Sequence, residues 1–212
     1  MSQEKITNIF WDFGAVLFSN AQISGYEFKP VRKLLGITPE RSDEIFFSMW
    51  EEGVRLGKIS EDDFWNTYIE NSTQEPNLEE IKVIYRKCTL VNSELLNLIS
   101  QLSNKYVNSV VSNHGKEWMN FLISNYNLNN IFKDIVCSAF IGIGKPDPEF
   151  FEIALKRVSV KPQNVIYIDN EERHLEAARS IGIHSILYSG FYENMTKGNK
   201  DLVSKLKSEG LV

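Results

Sequence analysis

Apolar and polar positions change rhythm twice along the chain. Residues 6–11, which run into "NIFWDFGAVLF" (8–18), form a short run rich in β-branched and aromatic residues, which predicts a buried strand. From about residue 25 to 90 no strand pattern is visible, and apolar positions recur at helical spacing. "PERSDEIFFSMWEEG" puts Ile45, Phe46, Met49 and Trp50 on one face. "ISEDDFWNTYIENS" stacks Phe64, Trp65, Tyr68 and Ile69 behind Ser60, an expected N-cap with Asp63 three residues on. "NLEEIKVIYRKC" repeats the stripe with Ile81, Ile84, Tyr85 and Cys88. After residue 92, helices and strands alternate. "NSELLNLISQLSNK", "KEWMNFLISNY", "DPEFFEIALKRV" and "NEERHLEAARSIG" read as helices, the third capped by Asp147 with Pro148 in its first turn. "YVNSVVSN", "DIVCSAF", "NVIYID" and "HSILYS" read as strands, and "NKDLVSKLKSEG" as a closing surface helix. Such alternation predicts an α/β fold: a Rossmann-like, doubly wound parallel sheet with an inserted α-helical unit. The expected division is a core of residues 1–17 and 92–212, and an insertion of 18–91.

Composition narrows the partners. The 212 residues are 42% hydrophobic and 24% charged, as in ordinary soluble domains. A net charge of −5 and a pI of about 5.4 give no footprint for nucleic acid or an anionic membrane, and neither is expected as a partner. No apolar run reaches the roughly 18–20 residues that span a bilayer, and "MSQEKITN" lacks the layout of a signal peptide. Cys88 and Cys137 have no metal-like spacing, which suggests a reducing, cytoplasmic setting. Oligomeric state is not legible.

In an open parallel sheet the site lies beyond the carboxyl ends of the strands, where the topology switches. The first strand ends in Asp12, the second in Ser112, Asn113 and His114, and the fourth in Asp169 and Asn170, while Lys145 lies in the "GIGKPDP" loop. Each has a plainer reading. Ser112 and Asn113 are good helix caps, Lys145 is an ordinary loop lysine, Asp169 a helix-capping acid, and Asp12 a turn residue. His174 and His184 have no evident partner and read as structural. The aromatics of the insertion read as its core, with Tyr26, Trp50 and Phe64 as those able to reach a substrate.

The set as a whole resembles the haloacid dehalogenase-like hydrolases. "FWDFGAVLF", "VVSN", "GKPDPEFF" and "VIYIDN" match the superfamily's four motifs in order, across nearly the whole chain. "GKISEDDFW" is similar to the small helical cap that one subfamily inserts after the first motif. The resemblance implies a mobile cap over the site and Asp12 as a nucleophile. It also implies Lys145 and Ser112 as catalytic partners, with Ser112, Asn113 and Lys145 holding the substrate. Asp12, Gly14 through its carbonyl, Asp169 and Asn170 would hold Mg²⁺, an ion that prefers oxygen ligands. A carboxylate nucleophile splits one displacement at phosphorus into two easier steps. The expected substrate is a small phosphate ester, with sugar phosphates suggested by the subfamily.

Two positions depart from the pattern. Gly14 stands where most phosphatases of the superfamily carry a second aspartate, the acid that protonates the leaving group. Its loss costs about 10²–10⁴ in rate unless the leaving group or another side chain compensates. His114 is a candidate replacement, since a free imidazole titrates near neutrality. Asn170 falls in the usual metal-ligand slot, counted back from Gly182, so Mg²⁺ is expected to bind weakly. Two alternatives stay open: metal-free hydrolysis at carbon, as in 2-haloacid dehalogenases, and a non-catalytic binder of a phosphorylated ligand or a protein.

Overall fold

Five strands, β1 (Asn8–Trp11), β2 (Val107–Ser112), β3 (Asp134–Cys137), β4 (Val165–Asp169) and β5 (His184–Leu187), make one sheet in the order β3-β2-β1-β4-β5. Every pairing is parallel. The structure is a computed structural model and describes residues 5–19 and 28–212. Tyr26 therefore lies outside the described residues.

The first strand is central because it is buried on both sides: all four of its residues are. Alternation then sorts side chains between two layers. Ile9, Trp11, Val110, Ile166 and Ile168 face a core built with α5 (Ser93–Leu102), α6 (Lys116–Asn125) and α10 (Phe191–Ser208). Phe10, Val111, Val165 and Tyr167 face the opposite core, with α8 (Pro148–Arg157) and α9 (Glu172–Ser180). Helices on both faces of a parallel sheet make this the doubly wound α/β arrangement. Its switch point lies at β1, between β2 and β4, and opens at the carboxyl ends of those strands.

Four helices, α1 (Lys29–Leu35), α2 (Pro39–Trp50), α3 (Glu61–Glu70) and α4 (Leu78–Lys87), follow β1. They gather a hydrophobic cluster of their own around Phe28, Phe64, Trp65, Tyr68 and Tyr85. The chain passes to and from this region through one neck: Phe18 bridges Val91, and the Ser19 N–H donates to the Leu90 carbonyl at 3.0 Å. A second tie is chemical. Glu61, buried in α3, accepts the Trp118 indole N–H of α6 at 2.9 Å and pairs with Arg86 at 2.7 Å.

The structure differs from the sequence expectation in three stretches. Helix α1 was not visible as a stripe; Pro30 starts it and Gly36, at φ 65°, ends it. Residues 138–140, expected to continue a strand, fall in the short helix α7 (Ser138–Ile141), whose carbonyl at Ser138 accepts the Gly142 N–H. Helix α10 begins earlier than expected, at Phe191, with a kink at Asn194. Ser60 and Asp147 cap their helices as expected, whereas α6 is preceded by Gly115, not capped by Ser112 or Asn113. No helix among the described residues is long and apolar enough to cross a membrane, and both cysteines remain thiols.

Candidate active site

Asp12 sits one residue past β1, its N–H held by the Ile168 carbonyl at 2.8 Å. The chain then turns tightly, with the Leu17 and Phe18 N–H groups both donating to the Phe13 carbonyl and Ala15 held at φ 58°. That geometry aims the Asp12 carboxylate at Lys145, 133 residues on. Lys145 is 2% exposed, and its Nζ lies 2.5 Å from Asp12 Oδ1, 2.7 Å from Asp169 Oδ2 and 2.8 Å from the Tyr167 hydroxyl. One ammonium thus serves two buried carboxyl groups.

Each partner is held in turn. Asn113 clamps the Lys145 backbone twice, donating from Nδ2 to its carbonyl and accepting its N–H at Oδ1, both at 2.8 Å. The approach requires Gly144, where a Cβ would come within 2.5 Å of Asn113 Oδ1. Asp169 accepts from Lys145, the Tyr167 hydroxyl and His174 Nδ1 at Oδ2, and from the Glu171 N–H at Oδ1.

Electrostatics follow from burial and these partners. Burial, then the Asp169 charge, push Asp12 up to about 7 against the pull of Lys145. Burial also opposes ionisation of Asp169, but Lys145 and His174 outweigh it and hold that carboxyl below the usual range. Burial works to lower Lys145, yet the two carboxylates keep it charged and raise its pKa.

A cavity of about 370 Å³ opens over this floor, lined by Asp12, Gly14, Asn113, Lys145 and Asn170 among others. The structure does not bring Ser112 to it. That hydroxyl is fully buried and donates to the Asn113 carbonyl at 3.3 Å. His114 is also turned away, packed edge-on against Phe13 and Trp118. Burial depresses its pKa from 6.5 to about 4, so it is a neutral core imidazole at pH 7. Folding stability should therefore be complete above pH 6.5 and fall as pH drops toward 4, because the unfolded chain takes up a proton there that the folded chain refuses. The full loss is about 3 kcal/mol. His114→Gln should flatten this acid limb in urea melts at pH 7 and 4.5; an unchanged slope would assign it to another group.

Tyr167 and His174 were missed as site residues. Tyr167 had a signal, since it shares the Asp169 face of β4 two residues away. His174 had none, because a strand-to-helix turn returns it to Asp169 from five residues on.

A topological switch point with a buried aspartate, a lysine and a second acid at its edge defines a hydrolase-type site, and comparison with known proteins agrees. The family model described as "Haloacid dehalogenase-like hydrolase" matches residues 16–188, and the chain belongs to that family. A haloacid dehalogenase family enzyme of Bacteroides thetaiotaomicron, solved with magnesium and inorganic phosphate, superposes with a TM-score of 0.73 at 20% identity, over 87% of this chain and 94% of that one. Drimenol cyclase of Aspergillus calidoustus is 26% identical over 84% of this chain and 33% of its own length. Glyceraldehyde 3-phosphate phosphatase of Methanocaldococcus jannaschii is 28% identical over 38% of this chain and 35% of its own length. The chain thus matches about a third of the length of each of these two curated relatives.

Magnesium in that neighbour raises the question of fit here. One terminal atom of the Asn170 amide lies 3.0 Å from the Gly14 carbonyl oxygen and 3.3 Å from Asp12 Oδ2. As nitrogen it donates to both. As oxygen it stands beside two others at separations close to the roughly 3.0 Å edge of an octahedron with bonds of about 2.1 Å. The donor set fits a hard cation. Among the described residues no cluster of three or more His, Cys, Asp or Glu accompanies it, and both Asp169 oxygens are engaged elsewhere.

Proposed function

We propose that this chain is a Mg²⁺-dependent phosphatase of a small phosphorylated metabolite, working through a phosphoryl group transferred to Asp12. The observation that carries the reading is the buried Asp12–Lys145–Asp169 trio beneath an open cavity. Charges buried this deeply cost several kcal/mol each to desolvate, and a merely structural turn does not require them.

The Asp12 carboxylate attacks phosphorus, the bond to the ester oxygen breaks, and the leaving group departs with the electron pair. Water then attacks the acyl phosphate, releasing inorganic phosphate and restoring Asp12. Lys145 balances charge on the phosphoryl oxygens and, with Asp169, Tyr167 and His174 behind it, keeps Asp12 oriented. Asn113 fixes the loop that carries Lys145. Asp12, the Gly14 carbonyl and the Asn170 amide would hold Mg²⁺, which supplies further charge neutralisation. One carboxylate fewer than usual among these donors supports weak binding. Residues 18–91 would act as a cap that excludes water, over a core of 1–17 and 92–212. The setting we propose is the cytoplasm, and the net charge of −5 supports a small molecule over a nucleic acid as the ligand.

The test is hydrolysis of acetyl phosphate, whose leaving group needs no protonation, with and without Mg²⁺. Turnover should require Mg²⁺ and fall more than about 10³-fold in Asp12→Asn. Silence at high Mg²⁺ would reject the phosphatase in favour of a non-catalytic binder.

A further inference from the structure

The sugar phosphates suggested by the subfamily call for a hydrogen-bonding wall, and beside Asp43, Glu51, Glu171 and Arg173 the cavity presents a cluster of aromatic rings. Helix α2 buries Ser42 and Ile45 and lines the cavity with Asp43, Phe46, Phe47 and Trp50 at i, i+3, i+4, i+7 spacing; Phe46 and Trp50 are shared with the inner cluster, whereas Phe47 is not. Phe46 stacks on Trp50 at 5.0 Å, and Trp50 lies parallel to Trp118 at 6.4 Å and 13°. Phe47 is 65% exposed and packs edge-on against Phe46 at 5.4 Å. Leaving a phenyl ring in water forfeits burial free energy, so Phe47 is a ring awaiting contact. Two rim acids are already committed, Glu51 to Arg55 and Glu171 to Arg173, each at 2.7 Å.

A second observation comes from the other end of the reaction. Gly14 has no side chain to protonate a departing oxygen, and His114 is buried outside the cavity. An ester whose oxygen leaves readily as an anion needs no such acid. A phenolic oxygen has a pKa of about 10, roughly six units below that of bulk water at about 15.7. The aromatic wall and the missing acid select the same chemistry independently.

We propose that the substrate is the phosphate monoester of a planar aromatic hydroxyl compound, its ring seated on Phe46, Phe47 and Trp50 while the phosphoryl group meets Asp12 and Lys145. This rests on the phosphatase reading. Asp12 bonds to phosphorus, the aryl oxygen leaves as a phenolate, and water later releases phosphate. The cavity, at about 370 Å³, is large enough for one such ester.

The test compares 2-naphthyl phosphate, glycerol 3-phosphate and acetyl phosphate on the full chain with Mg²⁺. The naphthyl ester should exceed the glycerol ester in kcat/KM by about 10² or more. Phe47→Ser, which disturbs little packing, and Trp50→Ala should each lower the ratio of naphthyl to acetyl phosphate kcat/KM by about tenfold. Phenylphosphonate, which has no ester bond to break, should bind more tightly than methylphosphonate, and that margin should shrink in Phe47→Ser. Glycerol phosphate turned over as well as the naphthyl ester, with its turnover lost in Asp43→Asn, would overturn the proposal by identifying another acid. So would ratios unmoved by both wall substitutions. In either case Asp12-dependent acetyl phosphate turnover would leave the phosphatase reading standing, whereas no turnover of any of the three would remove both.

Discussion

Lys145→Met is expected to destabilise the protein by about 3–5 kcal/mol at pH 7, because it leaves Asp12 and Asp169 buried without their shared cation. For a chain of this size that is a fall in Tm of roughly 10 °C. The pH dependence carries the diagnosis. In the native protein the folded-state pKa of Asp169 lies below its unfolded value. Its contribution is therefore complete above the unfolded pKa of about 3.9 and is lost as pH falls. Removing the ammonium reverses that sign for Asp169 and pushes Asp12, already raised to about 7 in the native protein, further in the direction it has taken. The two carboxyls then titrate upward in the folded state, so that state holds the extra proton and the variant loses stability as pH rises. Thermal melts from pH 4 to 8 should show the native protein gaining on its variant across the range. Parallel curves would mean that Lys145 acts through packing alone.

Asn170→Asp is the complementary change and should tighten Mg²⁺ binding by about tenfold or more. With its nitrogen toward Asp12 Oδ2 and the Gly14 carbonyl the amide makes two hydrogen bonds, and binding Mg²⁺ through its oxygen means giving up both. A carboxylate offers oxygen in either orientation and adds a negative charge beside the divalent ion. Without Mg²⁺ the same substitution should be costly, since Asp12 and the new acid would face each other with no bridging proton or cation. Isothermal titration with MgCl₂, with melts at 0 and 10 mM Mg²⁺, measures both effects. The expected result is a variant less stable than the native protein without the ion and more strongly stabilised by it. Equal affinities would show that Asn170 does not belong to the ion's donor set.

Several elements could be read from local pattern because local physics alone decides them. Ser60 and Asp147 cap helices whose first-turn N–H groups have no other nearby acceptor. The run from Val165 to Asp169 is buried at every position, as a strand covered on both faces must be. Where the reading failed, a weak local preference met a tertiary demand. In "SAF" only Phe140 favours a strand; the chain must turn after β3, and it turns by helix. Ser112 sits at the expected strand end, yet strand alternation and its neighbour's carbonyl direct the hydroxyl away from the cavity.

The order of motifs in the sequence determined that Asp12, Asn113, Lys145 and Asp169 would meet at one sheet edge, because parallel strands with right-handed crossovers bring their carboxyl ends together. It also determined that position 14 offers no acid and position 170 no negative charge, since those are properties of the side chains themselves. Only the tertiary structure decided that one lysine would serve two carboxylates, that His174 and Tyr167 would stand behind it, and that His114 would be a neutral core residue. The aromatic stripe of α2 belongs with these. Its periodicity was legible, but which of its rings face the inner cluster and which the cavity depends on how the insertion docks through Glu61, Arg86 and Trp118. Side-chain period specifies a face, and only packing specifies what that face meets.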